Sequence, residues 1–309
     1  MLKLGLFSKD YESSGVGIAK NAPKKKGIKL FFEIFGRKFW KLFEVNMLYS
    51  LFYLPLLLAF SCMTRIHNVT LGLVMTIIMI LVFAVLIGPA TAGMTKVMRN
   101  YVLERNSFIV YDFFRAFKSN FKQSAIVGFL DCLILVSVWA GYKVYPVLAN
   151  QMGSKLMYIP MVISLSLGIM VVMMNFYAFL MIIATDLSMK NLIKNSFALA
   201  FVALKKSALT FLIVFAVLAV MAILVLYVSM SFLILFPFFP AAFLSLVICF
   251  NSYPVIQKYV INPYYTSIGQ VNPELGGDDL DEEEQIFEDM GGKEKPIEKR
   301  KKGKGKRIS

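Results

Sequence analysis

The sequence predicts an all-α polytopic membrane protein with six transmembrane helices, amphipathic helices at the inner surface, and both termini in the cytoplasm. Composition supports this fold class. Of the 309 residues, 58% are hydrophobic and 17% are charged, whereas charged residues make up about a quarter of a soluble globular chain. The 33 Lys and Arg nevertheless outnumber the 19 acidic residues, so the net charge is +14. This combination excludes an ordinary cytosolic enzyme and a disordered polycation.

Six apolar runs account for the predicted spans. A helix needs about 20 apolar residues to cross the hydrocarbon core of a bilayer. The first four runs lie at about residues 45–63, 69–93, 125–145 and 157–185. The stretch 208–250 has no charged residue, and as a single helix it would be about 64 Å long, twice the bilayer core. We therefore predict two helices there, with a turn near 229–231 or at Pro237 and Pro240.

The positions of the basic residues predict the orientation of these spans. Ten lie before span one, six between spans two and three, four between spans four and five, and ten after span six. The loops on the other side hold only Arg65, Lys143 and Lys155. Because cytoplasmic loops carry the excess of Lys and Arg, this 30-to-3 distribution predicts cytoplasmic termini. The positive charge is then an orientation signal, and we expect no nucleic-acid partner.

Two aromatic segments are predicted to lie at the inner membrane surface. In residues 29–44, phenylalanines recur at every fourth position among basic residues; they are Phe31, Phe35, Phe39 and Phe43. In residues 112–122, aromatic and basic side chains occupy opposite helix faces; they are Phe113, Phe114, Phe117 and Phe121 against Arg115, Lys118 and Lys122. Such patterns are typical of helices in the headgroup plane.

The segment 112–122 has two interpretations. It anchors the bundle in the interface, or it presents a docking face to a partner; the candidate docking residues are Asp112, Phe113, Phe114, Phe117, Lys118, Phe121 and Lys122. Asp112 is also a candidate N-cap. A third segment of similar character lies at 186–207, and residues 121–130 align with 204–213. That alignment indicates either a repeated span–surface helix–span unit or the shared composition of membrane helices.

Few polar residues fall within the spans. Asp131 is the one ionisable candidate. It is either a helix-start carboxylate that is paired with a nearby Lys or Arg or is protonated, or a functional group. Asn175 in span four is expected to hydrogen-bond between helices or to bind a substrate. Asn46, at the start of span one, is expected at the interface.

Small residues and prolines have alternative readings. The GPATAG run from Gly88 to Gly93 allows close helix packing, and its Pro89 allows a kink. The alternative is a gating or ligand-lining break. Pro55 in span one has the same two readings.

The sequence shows no recognisable catalytic or cofactor-binding motif. It has no P-loop, and its single histidine, His67, excludes a zinc-protease H-E-x-x-H motif. The three cysteines are far apart and fit neither a disulfide framework nor a metal site. We therefore expect no enzymatic activity, no cofactor and no metal.

Composition divides the chain into three parts. Residues 1–28 are predicted to be a basic flexible tail, and 29–262 a membrane domain that includes the interfacial lead-in helix. Residues 263–309 are predicted to be a disordered charged tail, because eleven acidic residues lie at 274–298 and nine basic ones at 293–307. The basic tails would contact anionic lipids of the inner leaflet.

Several of these features occur together in a known family. They are the Phe-rich lead-in, Asn46 opening span one, the mid-span Leu54-Pro55, the GPATAG run, and the surface helix from Asp112 to Lys122. In this respect residues 31–262 resemble the YesL-like family, integral membrane proteins of unknown function found mainly in Gram-positive bacteria. The resemblance implies a bacterial plasma-membrane location and carries no catalytic residues.

Family members tend to be encoded beside sugar-importing ABC transporters, so the resemblance implies an accessory subunit that contacts permease or ATPase subunits. The alternative is a stand-alone small-solute permease that uses the polar residues of spans three and four.

Overall fold

The computed structural model describes residues 26–274, and that part of the chain is helical without a β-sheet. The helices are α1 Ile28–Ser50, α2 Leu54–Arg65, α3 Val69–Val102, α4 Ile109–Ser119, α5 Phe121–Met152, α6 Tyr158–Ala184, α7 Met189–Val202, α8 Leu204–Ile223, α9 Pro240–Ile256 and α10 Asn262–Ser267. Most of the two predicted tails, residues 1–25 and 275–309, lies outside the described residues.

The predicted six-span, all-α architecture is confirmed. Within the described range, six helical segments are long and apolar enough to cross a membrane; they are Ile28–Arg65, Val69–Val102, Phe121–Met152, Lys155–Ala184, Leu204–Val228 and Pro240–Ser267. Large apolar side chains face outward, such as Leu212 and Phe215 of α8, each 61% exposed. Such surfaces suit contact with lipid tails, which are as apolar as leucine. The chain is therefore a multi-pass membrane protein.

The first span differs from its predicted bounds. Helix α1 continues through the lead-in segment into the predicted span without a break at residues 44–45. The break is a 3-10 turn at Leu51–Tyr53, and Pro55 lies in the first turn of α2. Proline suits this position because the first N–H groups of a helix have no intrahelical partner. Pro55 therefore begins a helix instead of kinking one.

Two compact units divide the chain between Arg37 and Lys38. In the first unit, Phe31 stacks on Phe35 with ring centroids 6.4 Å apart. In the second unit, the ring centroid of Phe43 lies 6.2 Å from that of Phe239, the residue before α9.

Glycines bring α3 and α5 into close contact. A Cβ atom at Gly88 would lie 1.9 Å from the carbonyl oxygen of Ser124, and one at Gly128 would lie 2.6 Å from the Cα of Gly88. A Cβ at Gly93 would lie 2.9 Å from the carbonyl oxygen of Phe113 in α4. The geometry matches the packing interpretation of the GPATAG run, within which Pro89 is buried in a continuous helix.

Helices α3–α5 and α6–α8 share an order of elements and a pattern of burial. In each set a single residue, Asn120 or Ala203, joins the short helix to the following long one. Ser124 and Ser207 are both fully buried, and each donates to the carbonyl oxygen four residues earlier, at 2.6 and 3.1 Å. These correspondences favour the repeated unit over shared composition.

The connection between α8 and α9 is irregular and is bound by Asn46. It consists of a π-helical turn at Leu224–Val228, a 3-10 segment at Met230–Leu235, and turns leading to Pro240. Asn46 Nδ2 donates to the carbonyl oxygen of Phe236 at 2.7 Å, and its Oδ1 accepts from the N–H of Ala242 at 2.8 Å. The Asn46 side chain is 1% exposed, so its amide serves contacts within the protein, and its interfacial depth stays a prediction.

The predicted start of the C-terminal tail, residue 263, is also corrected. Residues up to Ser267 form α10, and Asn272 is 3% exposed. The Asn272 amide donates to Asn262 Oδ1 at 2.8 Å, and its oxygen accepts from the N–H of Glu274 at 2.9 Å. This segment folds because Asn272 provides polar contacts that composition does not reveal.

Candidate functional site

Helix α4 begins one turn earlier than predicted, with Phe108 as the N-cap. Asp112 is therefore not the N-cap residue but lies within the first turn. Its Oδ2 accepts from the N–H of Phe108 at 3.1 Å, the hydroxyl of Ser107 at 2.6 Å and the amide of Asn100 at 3.3 Å. A carboxylate in the first turn also interacts favourably with the helix dipole. Asp112 thus fixes the start of α4.

The aromatic side of α4 packs mainly against the chain itself. Phe113 is fully buried, and its ring lies 5.8 Å from that of Phe52, which also lies 5.2 Å from Phe117. Phe114 and Phe121 extend this row of rings, at 5.5 Å from Phe113 and 5.7 Å from Phe117. This removes Phe113 from the predicted docking residues, because a fully buried side chain cannot contact a partner, whereas Lys118, Phe121 and Lys122 are exposed.

A different surface of α4 is exposed. Phe108 and Tyr111 are 79% and 62% exposed. Basic side chains are exposed on the same helix and at the start of α5; they are Arg115, Lys118 and Lys122. We call Phe108, Tyr111 and Arg115 the outer face of α4.

The two polar residues predicted in spans three and four contact each other. Asn175 Nδ2 of α6 donates to Asp131 Oδ1 of α5 at 2.7 Å. The carboxylate is thus paired with an amide, not with a Lys or Arg. Asn175 Oδ1 is buried and has no hydrogen-bond partner among the described residues.

That unpaired oxygen belongs to a residue lining a cavity of about 210 Å³ within the bundle. Tyr49 and Thr91, whose hydroxyls are 3.1 Å apart, line the same cavity, as does Ala241 in the first turn of α9. Most of the other lining side chains are apolar.

A larger cavity of about 560 Å³ lies where α3 ends and α4 begins. The ends of α6 and α9–α10 complete it through residues such as Ala184, Ile261 and Tyr265. Four basic side chains line it; they are Lys96, Arg99, Arg105 and Arg115. We call this the basic-end cavity. Among the described residues, its acidic lining side chains are Asp112 and Glu274.

Arg99 is the most buried of these cations, at 7% exposed. Its Nη2 donates to the hydroxyl of Tyr253 at 2.7 Å, and its guanidinium lies 4.8 Å from the centroid of that ring. Arg99 also forms an ion pair with Glu274, whose carboxylate accepts from the Tyr253 hydroxyl. Arg105 Nη1 lies 3.7 Å from the same carboxylate. Helices α3 and α9, the loop between α3 and α4, and the segment after α10 thus meet around one anionic group.

Sequence reasoning missed this cluster. It counted Arg99 and Arg105 only as orientation charges, and Glu274 as the first residue of an acidic tail. One signal was present: Lys96 and Arg99 are three residues apart near the end of an otherwise apolar helix, where they share a face. Nothing in the sequence indicated that Glu274 and Tyr253 would complete the site.

Comparison with known families finds a match to part of the chain. A family described as "Protein of unknown function, DUF624" matches residues 42–142, from the second half of α1 into α5. The match supports a family of unknown function over this part of the chain, including both glycines of the α3–α5 contact and the whole of α4. Curated proteins and solved structures give no match.

Proposed function

We propose that the protein is an accessory membrane subunit of a carbohydrate importer of the ABC type, in a bacterial plasma membrane. The observation that carries this proposal is the outer face of α4, where exposed aromatic and basic side chains lie together at the basic end of the bundle. Interfaces between proteins are enriched in aromatic and Arg side chains. Under the orientation predicted from the basic residues, this face lies on the cytoplasmic side, where ATPase subunits bind.

The family assignment also supports an importer partner. We identify the matched family of unknown function with the YesL-like family, whose members tend to be encoded beside sugar importers. In addition, the ionisable Asp131 already has a partner in Asn175. A role through contact with other subunits therefore depends on side chains that are exposed. A transport role for Asp131 would require the hydrogen bond between Asp131 and Asn175 to break.

Cross-linking in native membranes, followed by purification of the tagged chain and mass spectrometry, tests this role. We expect the permease or ATPase subunits of a sugar importer to be recovered, and Tyr111→Ser to reduce their recovery. Tyr227→Ser is the matched control, because Tyr227 is 83% exposed but lies in the turn after α8. The proposal is wrong if no importer subunit is recovered, or if both variants reduce recovery equally.

A second candidate is a stand-alone small-solute permease, favoured by the cavity of about 210 Å³ beside Asn175 and the first turn of α9. Interrupted helices at a central cavity are typical of transporter binding sites. Light scattering would measure entry of glycerol and monosaccharides as the re-swelling of proteoliposomes after osmotic shrinkage. This candidate predicts entry that Asp131→Asn abolishes; entry no faster than in protein-free liposomes would exclude it.

A further inference from the structure

We propose that the basic-end cavity is a binding site for a phosphate group, and that Glu274 is a tethered carboxylate that occupies the anion position until phosphate displaces it. Three properties of the cavity support this assignment: its charge balance, an unsatisfied donor on Arg99, and its volume. Each involves residues between Lys96 and Glu274.

Among residues 26–274, the charge balance leaves the cavity short of anions. Asp112 already accepts three hydrogen bonds at the start of α4. Glu274 is the remaining carboxylate in the lining, and it lies beside Arg99 and Arg105. Lys96 also lines the cavity and forms no ion pair or hydrogen bond through its side chain within residues 26–274. Since cations shielded from water require partners, one carboxylate leaves capacity for a group of higher negative charge.

Arg99 has a buried donor that Glu274 does not satisfy. Its Nε atom has no hydrogen-bond partner in the described part of the chain. A guanidinium presents five N–H donors in a planar fork that matches phosphate oxygens in pairs. A buried donor without a partner costs free energy, so a tetrahedral anion with several acceptor oxygens suits this position better than one carboxylate.

A short segment after α10, residues 268–274, holds Glu274 in the cavity, and we call it the strap. After α10 the chain turns back, and the side chain of Asn272 holds both Asn262 and the backbone N–H of Glu274. The Glu274 carboxylate then accepts from Arg99 and Tyr253 and lies 3.5 Å from Gln257 Nε2. This arrangement places an anionic group among donors from α3 and α9, as a bound phosphate would be placed.

The cavity is larger than the Glu274 carboxylate requires. Small-molecule sites typically enclose about 300–1,000 Å³, and this cavity has about 560 Å³. That volume admits a phosphate together with the group that carries it. The carrier is either a soluble phosphate ester or a phospholipid headgroup, since both present the same phosphate chemistry.

Binding of inorganic phosphate to the full-length protein in phosphatidylcholine nanodiscs tests the proposal by isothermal calorimetry. Glu274→Gln removes the competing charge, so we expect phosphate to bind about tenfold more tightly or better. In that background Arg105→Gln should weaken binding by about tenfold. Arg105 is suitable because its side chain is 48% exposed, so its replacement leaves the fold intact. Glu44→Gln and Lys122→Gln, both at exposed positions outside the cavity, should change binding less than about twofold.

A second arm distinguishes the two sources of phosphate. The same variants are placed in nanodiscs that contain phosphatidylglycerol, and retained lipid is measured by native mass spectrometry. If the ligand is a headgroup, Glu274→Gln retains more phosphatidylglycerol than the wild type, and addition of Arg105→Gln removes the gain. Response in either arm supports a phosphate site. The proposal is overturned if neither arm responds to Glu274→Gln, or if the control variants respond equally.

Discussion

Gly88 and Gly128 determine how closely α3 and α5 approach, because each has backbone atoms of the other helix where a Cβ would lie. The obstructing atoms at Gly88 are the carbonyl group of Ser124, which cannot move aside as a flexible side chain would. In a membrane, helices associate through packing and hydrogen bonding without a large hydrophobic driving force. A contact of this kind therefore contributes strongly to the association of the two helices.

Gly88→Ala should destabilise the bundle by about 1–3 kcal/mol or more, since the added methyl group forces the helices apart. Gly36→Ala is the control, because nothing lies within 4 Å of a Cβ at that position and alanine favours a helix by about 1 kcal/mol. Thermal unfolding in detergent micelles, followed with a thiol-reactive dye, measures both. Equal melting temperatures for wild type and Gly88→Ala would contradict the packing role.

Among the secondary-structure elements, the α8–α9 connection depends most on a distant residue. Its backbone leaves regular helix at Ser229 and resumes at Pro240, and within a bilayer core unpaired backbone groups have no water to bind. Asn46 of α1 satisfies one carbonyl and one N–H of this connection. Helix α1 therefore stabilises the start of α9.

Asn46→Leu should destabilise the fold by about 1–3 kcal/mol, because it leaves the Phe236 carbonyl and the Ala242 N–H without partners. Asn68→Leu is a control of the same type: its oxygen accepts from the N–H of Leu71, but in an exposed position, where water can replace it. The free energy of unfolding of both variants can be measured in mixed micelles. A loss no larger for Asn46→Leu than for Asn68→Leu would show that the connection does not require this side chain.

The elements differ in how well the sequence predicts them. Apolar runs determine the spans because length and hydropathy are local properties, so the six segments and the turn between spans five and six were predictable. The break at Leu51–Tyr53 and the buried position of Asn46 were not, since both depend on what packs against α1. The burial of Phe113 was not predictable for a related reason: an amphipathic face indicates which side is apolar, but not whether lipid, a partner or Phe52 of the same chain covers it.

The candidate site was less predictable than the fold. Asp131 and Asn175 were recognisable because polar residues are rare in spans, although their pairing was not apparent. The basic-end cavity combines residues from α3, from α9 and from the segment after α10, and their separation along the chain concealed it. The spacing of Lys96 and Arg99 was a signal, but the charge of Arg99 could be explained fully as an orientation determinant.

At the scale of the whole molecule, most basic residues within 38–274 lie at one end of the bundle, and the exceptions are Arg65, Lys143 and Lys155. Lys96, Arg99, Arg105 and Arg115 meet in one cavity, and Lys205 and Lys206 line a second cavity together with Lys258. The loop between α5 and α6 has Lys155 as its basic residue. This asymmetry along the bundle axis is the physical basis for the predicted cytoplasmic position of the basic end.

Cysteine labelling in whole cells tests that orientation. After Cys62, Cys132 and Cys249 are replaced, Gln151→Cys should react with a membrane-impermeant maleimide in intact cells, and Asn106→Cys only after permeabilisation. Both positions are exposed, so the side of the membrane on which each cysteine lies determines whether the reagent reaches it. Labelling of Asn106→Cys in intact cells would reverse the assigned orientation.

The attachment of Glu274 to the chain has a quantitative consequence. A group on a short tether has an effective concentration near its partner on the order of millimolar, so Glu274 sets a threshold that a free anion must exceed. Only the fraction of molecules in which the strap has opened would bind, and the apparent affinity falls by that fraction. Cleavage of the backbone between α10 and Glu274 would remove the threshold and leave the cavity permanently available. The residues of α3 and α4 that line the cavity would be unchanged.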